Sequence, residues 1–263
     1  MSDMQPGSGG SAPGPVTLAV DVGGSRPKCG LLDAAGGMLG ERIRCPTPKP
    51  APPAAVLEAL GGIIEQAGTF DRISVGFPGV VRAGRVLTAP NLGNKEWHGF
   101  ELAAALSQRY GKPARMLNDA SVQGLGVITG HGLECVVTLG TGFGFALYQD
   151  GRLAPHLEMG QHIARKTMTY DQYVGLAALK DVGPKRWNRR LRRAIEQIET
   201  LVTYDTLYIG GGNAKLIDFD LPPRVQVVSN DAGITGGVRL WAPQLDDAFV
   251  ASPELLAKPD APV

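Results

Sequence analysis

Near the middle of this 263-residue chain, Met116-Leu117-Asn118-Asp119-Ala120 closes a short apolar run and opens a helical one. A carboxylate at such a handover stands at a crevice edge, where α/β sheets bind ligands. Beside an amide neighbour, Asp119 is suited to take a proton from a bound hydroxyl. The plainer role is structural: Asp119 caps the following helix and Asn118 makes the turn. Two other stretches, Asp21-Val22-Gly23-Gly24-Ser25 and Gly140-Thr141-Gly142-Phe143-Gly144, are tight turns rich in backbone N–H groups. Glycine lets a backbone approach phosphate oxygens closely, so such turns form concave anion sites. A hairpin needs glycine in any case, so each turn alone is a weak signal. Neither fits GxxxxGK[ST] or GxGxxG opening a helix, which excludes P-loop and dinucleotide-binding readings. Asp21, at the mouth of the first turn, suits Mg2+ held through water, because hard cations take oxygen ligands. Its simpler role is to cap the turn.

These residues need elements to hold them. Residues 16–22 are rich in β-branched side chains and end at Gly23-Gly24, which predicts a strand, with further strands over 28–33 and 39–44. Prolines 46, 48, 50, 52 and 53 predict an extended connector. Val56, Leu57, Leu60, Ile63 and Ile64 make a helical stripe within 54–67. A buried strand over 73–77, a hairpin over 80–88, an amphipathic helix over 100–110 and a strand over 114–117 follow.

The second half begins again with strand, glycine turn and strand. Sliding the chain by 117 residues aligns the copies without a gap: Asp21 falls on Thr138, Gly23 on Gly140, Gly24 on Thr141 and Asp33 on Asp150. An internal repeat of this kind predicts two like α/β domains facing each other across a cleft. Helices are expected over 171–179 and 184–203, a strand over 206–209 ending in Gly210-Gly211-Gly212, a helix opening at 214–217, a strand over 225–228 and a final helix over 232–241.

Composition narrows the class. An apolar content of 43% is ordinary for a globular protein, and a net charge of +1 gives no global argument for a nucleic-acid or membrane partner. Cys29, Cys45 and Cys135 are far apart and form no CxxC pair, so neither a disulfide framework nor a cysteine zinc site is expected. No apolar run of about 18 residues and no basic-then-apolar start occurs, which makes a cytoplasmic location the default. Residues 1–15 are rich in Gly, Ser and Pro, and 244–263 carry prolines and scattered charge; both read as disordered tails around a folded 16–243.

The motifs VDVGGSRPK, VGFPGVV, LNDA, TLGTGFG, EMG and IGGGNA occur in this order. Together they resemble the ROK family of sugar kinases, in its polyphosphate glucokinase-like branch, over about 16–241. The resemblance implies an actin-like, ribonuclease H-like kinase fold: α/β, two lobes and an inter-lobe cleft. A small lobe would span 16–117 and a large one 118–231, with the final helix (232–243) returning to the first. The implied activity is phosphoryl transfer from polyphosphate or ATP to the 6-hydroxyl of a hexose, glucose first, with Mg2+ and without zinc. By motif, Asp119 resembles the general base; Asn118 and Glu158 look like sugar-hydroxyl ligands, with the loop from Gly76 to Gly79 and Asn91 lining the pocket. Gly23, Gly24, Thr141 and Gly142 look like donor-phosphate contacts, with Ser25 and Lys28 in the same first motif. Gly211 and Gly212 resemble the loop near a nucleotide base. Members of the family often form homodimers, although no interface signature is visible in this sequence.

Two departures stand out. Where the family has Glu-x-Gly-His, this chain has Glu158-Met159-Gly160-Gln161 and then His162. An amide can hydrogen-bond a sugar hydroxyl but cannot titrate, so either Gln161 substitutes or His162 turns in; position favours Gln161. The family's zinc-binding cysteine cluster is also missing, and a 15-residue leader has no room for the helix-turn-helix of repressor members. Alternative readings are a non-catalytic sugar sensor, favoured by Gln161 alone, and an N-acyl-hexosamine kinase. Finally Lys180, Lys185, Arg186, Arg189, Arg190, Arg192 and Arg193 crowd one region. Such a run is usually a solvated helix face; the alternative is a track for a polyanion such as polyphosphate.

Overall fold

The computed structural model describes residues 14–24, 26–229 and 232–249. Ser25, the leader through residue 13 and the stretch 250–263, on which a phosphate contact and disordered tails were expected, lie outside the described residues.

The first half builds one mixed sheet. Strands β1 (Thr17–Asp21), β2 (Lys28–Leu32) and β3 (Ile43–Arg44) form an antiparallel meander, and β4 (Arg72–Phe77) lies parallel to β1. Helix α1 (Pro53–Ile64) connects β3 to β4, starting at a proline whose missing N–H costs nothing in a first turn. A two-strand hairpin, β5 (Val81–Arg82) and β6 (Arg85–Val86), turns at Ala83-Gly84, both with positive φ. Helices α2 (Asn94–Trp97) and α3 (Leu102–Tyr110) lead into β7 (Ala114–Asn118), parallel to β4. The resulting order is β3-β2-β1-β4-β7.

Helix α4 (Asp119–Leu125) starts at the residue after β7 and carries the chain to a second sheet of the same plan. Here β8 (Leu133–Leu139), β9 (Phe143–Gln149) and β10 (Arg152–Leu153) are the antiparallel meander. After the small pair β11 (Ile163–Arg165) and β12 (Met168–Thr169) come α5 (Tyr170–Val174) and α6 (Leu176–Val202). Strands β13 (Thr206–Gly210) and β14 (Val225–Val227) then pair in parallel beside β8, giving β10-β9-β8-β13-β14. The two sheets therefore repeat one topology, as the sequence repeat implied. One detail differs: Asp21 pairs with Lys28, whereas Thr138 pairs with Gly144, so the second glycine turn is one residue tighter than an ungapped offset allows.

Packing explains where the site lies. A core around Leu18, Val20, Leu60, Ile73, Phe77 and Trp97 fills the first half, and one around Val137, Phe145, Trp187, Leu191 and Ile198 fills the second. A third core sets Ala120, Val122 and Leu125 of α4 against Val136, Ala146 and Tyr148 of the second sheet, with Leu117 from the first. Helix α4 is thus wedged between both sheets, and its N-terminus opens where their strands end.

Several expectations are corrected. The helix predicted over 171–179 is split at the extended Gly175 into α5 and the start of α6, and α6 then runs on through the helix predicted over 184–203, with a break at Gly183 (φ 73°, ψ 164°) and Pro184 restarting the helical run. The helix expected from 214 is only a 3-10 turn, Ala214–Leu216, because Asn188 of α6 ties it off: its amide donates to the Leu216 carbonyl (2.9 Å) and accepts from the Asp218 N–H (3.2 Å). The final segment does return to the first sheet, where Ser74 donates to the Gly237 carbonyl and Trp241 donates to Ser74. It is not one helix, however: α7 (Ala232–Thr235) gives way to a 3-10 run, Gly236–Trp241. A Cβ on Gly236 would collide with the carbonyl of Val122, so close approach to α4 requires glycine and weakens the helix. The disorder expected from 244 onward is overturned for Pro243–Phe249, another 3-10 run. Leu245 is buried there, and Arg115 pairs with Asp246 at 2.9 Å while stacking on Phe249.

Candidate active site

The ends of β1, β4, β7, β8 and β13 face one cleft of about 580 Å3. On the first-sheet side, Asp21 closes β1 and its carboxylate pairs with Lys28 Nζ at 2.9 Å across the β1–β2 ladder. The turn after it is pinned: the Gly23 carbonyl accepts from Thr47 Oγ1 (2.8 Å), and Val22 N–H donates to the Gly76 carbonyl (2.8 Å). Gly24 lies so close to Asn91 that a Cβ there would stand 3.1 Å from the asparagine Cβ.

At the cleft floor, Asn118 is the cap and Asp119 is not. The Asn118 Oδ1 accepts from the N–H groups of Ala120 (2.9 Å) and Ser121 (3.3 Å), satisfying two N-terminal donors of α4. Its Nδ2 donates to the Gly79 carbonyl at 3.1 Å, holding the loop after β4. Asp119 is thereby relieved of the structural task; its Oδ1 accepts only the adjacent Ala120 N–H at 2.8 Å. Burial pushes the Asp119 carboxyl up to about 7, the nearby Asp21 carboxylate adds to this, and the Ala120 hydrogen bond opposes it. A carboxylate poised near neutrality at a strand–helix junction can act as a base on a bound hydroxyl.

On the second-sheet side, Glu158 precedes a 3-10 turn, Met159–Gln161, and both Glu158 and Gln161 line the cleft. Gln161 Nε2 donates to Asp171 Oδ2 at 2.8 Å, while Asp171 Oδ1 accepts the Phe143 N–H at 2.6 Å. Burial raises the Asp171 carboxyl above its ordinary value, with Glu158 adding to the effect. The turn Gly140 to Phe143 is held further by Leu176 N–H on the Thr141 carbonyl (3.1 Å) and Asn213 Nδ2 on the Gly140 carbonyl (3.0 Å). Gly211 has φ +88°, and a Cβ on it would run into the Leu139 backbone, so this loop requires glycine.

Most of the residues that the sequence marked out for the site, within the described residues, meet here: Asp21, Gly23, Gly24 and Lys28 on one wall, Pro78, Gly79, Asn91, Asn118 and Asp119 on the floor, and Thr141, Gly142, Glu158, Gln161, Gly211 and Gly212 opposite. Gly76 and Phe77, expected in the same pocket loop, instead end β4, and Phe77 is buried in the first core. His162 does not turn in; it is exposed and extends the chain away from the 3-10 turn. The histidine that does reach the carboxylate is His156, whose Nε2 stands 3.3 Å from Glu158 Oε2. Sequence reading missed it, as it missed three residues that line the cleft itself, Arg26, Gln123 and Asp171. Gln123 is buried on α4 and among the described residues its Nε2 has no hydrogen-bond partner, leaving a donor at the cleft wall.

A divalent cation would find hard oxygens here. Asp21 and Asp119 face one cleft closely enough for the first to raise the second, a repulsion that a cation between phosphate and protein would relieve. Among the described residues no group of three or more His, Cys, Asp or Glu side chains could hold a metal by itself, so phosphate and water oxygens would have to complete the shell. Among these residues, too, no helix is long and apolar enough to cross a membrane.

Known proteins share this architecture. A polyphosphate glucokinase of Mycobacterium tuberculosis (strain H37Rv) is 31% identical over 235 residues, covering 83% of this chain and 88% of that protein. The crystal structure of an inorganic polyphosphate/ATP-glucomannokinase from Arthrobacter sp. strain KM superposes with a TM-score of 0.78 at 30% identity, covering 86% of this chain and 98% of that one. A ROK glucokinase from Streptomyces griseus, solved with glucose and AMPPNP, shares the fold at 20% identity, with a TM-score of 0.71 and coverage of 86% and 98%. These neighbours confirm the actin-like, two-sheet kinase architecture. The ROK family model matches residues 17–163, more than half of the chain. With a relative matched along nearly its whole length and the family's motifs gathered on one cleft, the chain belongs to the ROK family.

Proposed function

We propose that the chain is a hexose kinase, transferring a phosphoryl group from polyphosphate or ATP to the 6-hydroxyl of glucose, with Asp119 as general base. One observation carries this reading: Asp119, with its carboxyl near 7 and no capping duty, stands between a cluster of sugar-sized polar groups and two N–H-rich glycine turns. Phosphoryl transfer asks a protein for positioning, charge neutralisation and one base, and the cleft offers all three. Asn118, Glu158, Gln161, Asn91 and the Gly79 loop would orient the hexose. The turns at Gly23–Gly24 and Thr141–Gly142 would hold donor phosphates, with Lys28 supplying positive charge and Gly211–Gly212 flanking the donor's far end. Mg2+, held through water by Asp21, would neutralise the phosphate oxygens. We read 16–117 with 232–243, and 118–231, as lobes whose closure expels water from the transferred group.

The protons and charges balance simply: as the hydroxyl oxygen bonds to the terminal phosphorus, its proton passes to Asp119 and the bridging oxygen leaves with the shortened donor. The experiment is a donor-by-sugar matrix with Mg2+, coupled to detection of hexose 6-phosphate. Turnover with glucose and either donor is the expected result. Tight glucose binding with no turnover from either donor would replace this reading with a sugar sensor, and a preference for N-acyl-hexosamines would reassign the substrate.

A further inference from the structure

Away from the cleft, Arg186, Arg189, Arg190 and Arg193 of α6 recur at helical spacing and therefore stack on one side of it. The opposite stripe, including Trp187 and Leu191, is buried in the second core, so the arginine side is what the helix shows to solvent. Arg165 of β11 faces the same stripe, and together they wall a groove of about 470 Å3. Glu196 is its one carboxylate. Among the described residues no ion pair neutralises Arg165, Arg186, Arg189 or Arg193. Like charges three and four residues apart on a helix repel one another, so a solvated face would gain from interspersed carboxylates. Arg190 is instead set in place, donating to the Tyr173 carbonyl at 3.2 Å with its guanidinium 5.1 Å from the Tyr173 ring centroid.

The groove adjoins the cleft through one short helix. Tyr173, on the groove wall, lies two residues beyond Asp171, which holds the Phe143 N–H of the second glycine turn. The first N–H of α6, that of Leu176, binds the Thr141 carbonyl in the same turn. Guanidinium forks match phosphate oxygens bidentately. We propose that this groove binds linear inorganic polyphosphate, holding the part of the chain that extends beyond the phosphoryl group in the cleft. The proposal rests on the kinase reading above for the direction of the chain, not for the existence of the site. Single-stranded nucleic acid, the other common linear polyanion, is bound through exposed aromatic platforms; here Trp187 is fully buried and Tyr173 nearly so, and neither offers a free face.

Titration of inorganic polyphosphate into the full chain, at two salt concentrations and without sugar, tests this directly. Long-chain polyphosphate is expected to bind more tightly than tripolyphosphate. Combining Arg186→Ala, Arg189→Ala and Arg193→Ala should weaken the long chain by about tenfold or more and flatten its salt dependence by about two in log–log slope, in line with the loss of three phosphate contacts. Tripolyphosphate should be affected less than the long chain. Glucose binding reports that the variant is folded; if it is not, the pair Arg189→Lys and Arg193→Lys keeps the charge, removes the forks and should still weaken the long chain. An unchanged long-chain affinity in the folded variants overturns the proposal, as does displacement of polyphosphate by an equal charge of single-stranded oligonucleotide. Binding is read without turnover, so the two readings fail separately. Polyphosphate binding through these arginines with no sugar phosphorylation supports the groove and refutes the kinase; phosphorylation from polyphosphate with affinity unmoved by the variants does the reverse.

Discussion

Asp171 joins two parts of the cleft: one carboxylate oxygen accepts the Phe143 N–H at 2.6 Å, and the other accepts Gln161 Nε2 at 2.8 Å. The second glycine turn, proposed above to hold the donor, and Gln161 are therefore held by one side chain. Asp171→Ala releases both. Hydrogen bonds to a charged group contribute about 1.5–3 kcal/mol each, so KM for sugar and KM for donor should both rise by about tenfold or more. Steady-state kinetics with each substrate varied in turn checks this, and a rise confined to one substrate contradicts the shared anchor.

The elevated Asp119 carboxyl ties both the rate of the proposed reaction and the stability of the fold to pH. A general base must be deprotonated to act, so kcat/KM should climb with pH up to about 7 and level off above it. Asp119→Asn should lower turnover by about 10²- to 10⁴-fold while largely preserving glucose binding. Removing the like charge with Asp21→Asn should move the midpoint of the profile downward, since Asp21 contributes to the elevation. For stability, the folded state holds the Asp119 proton more tightly than the unfolded chain does. Stability from this group is full below the unfolded value of about 3.9 and is lost as pH rises to about 7. Asp119→Asn escapes that loss, so its Tm should exceed wild type by more at about pH 8 than at about pH 5. A gap that is equal at the two pH values would show that the carboxyl is not raised.

Glu158 has a partner that the motif did not announce. With His156 Nε2 3.3 Å from its carboxylate, Glu158 is braced from the chain before it instead of by the residue three positions after it. Glu158→Gln should raise the glucose requirement more than it slows chemistry, as expected of a group that binds ground state and transition state alike. His156→Ala should do the same more weakly, by a few-fold in KM. If either variant lowers kcat while leaving KM unmoved, the residue is not a sugar-side group.

What could be read from the sequence, and what could not, divides along physical lines. Strands β1, β4 and β9, helix α1 and the two glycine turns are set by local periodicity and turn chemistry, and a repeated strand–turn–strand announces the second sheet. Asn118 and Asp119 were legible as a pair, but their division of labour was not: which side chain caps α4 depends on the Gly79 carbonyl, brought in from the preceding strand's loop. His156, Asp171 and Gln123 carried no signal. The first two sit in or just after the irregular stretch between β10 and α5, where no spacing rule says which side chain folds back to meet Glu158 or the second glycine turn. Gln123 looks like any polar residue of a short helix until its burial leaves Nε2 unpaired. The tail was misread because Leu245 and Phe249 are too few to show a period, although Arg115 and the third core hold them.

Gly211 and Gly212 are adjacent but not equivalent. At Gly211 the backbone has φ +88°, and a Cβ would collide with the Leu139 carbonyl; at Gly212 a Cβ would meet nothing within 4 Å. Gly211→Ala must therefore adopt a left-handed conformation and also push β8 away from its end, at a cost of about 1–3 kcal/mol for the backbone alone. In a chain of this size that is a fall of about 2–4 °C in Tm for each kcal/mol. Gly212→Ala should stay within about 0.5 kcal/mol of wild type, as surface changes without strain do. Because the Gly211 loop holds Asn213, whose amide steadies the Gly140 carbonyl at 3.0 Å, the alanine at 211 should also weaken donor binding while leaving glucose affinity near wild type. Thermal melts of both variants, with separate titrations of donor and glucose, decide it: equal destabilisation at the two positions, or loss of glucose affinity at 211, would mean that the loop does not act through the Gly140 turn.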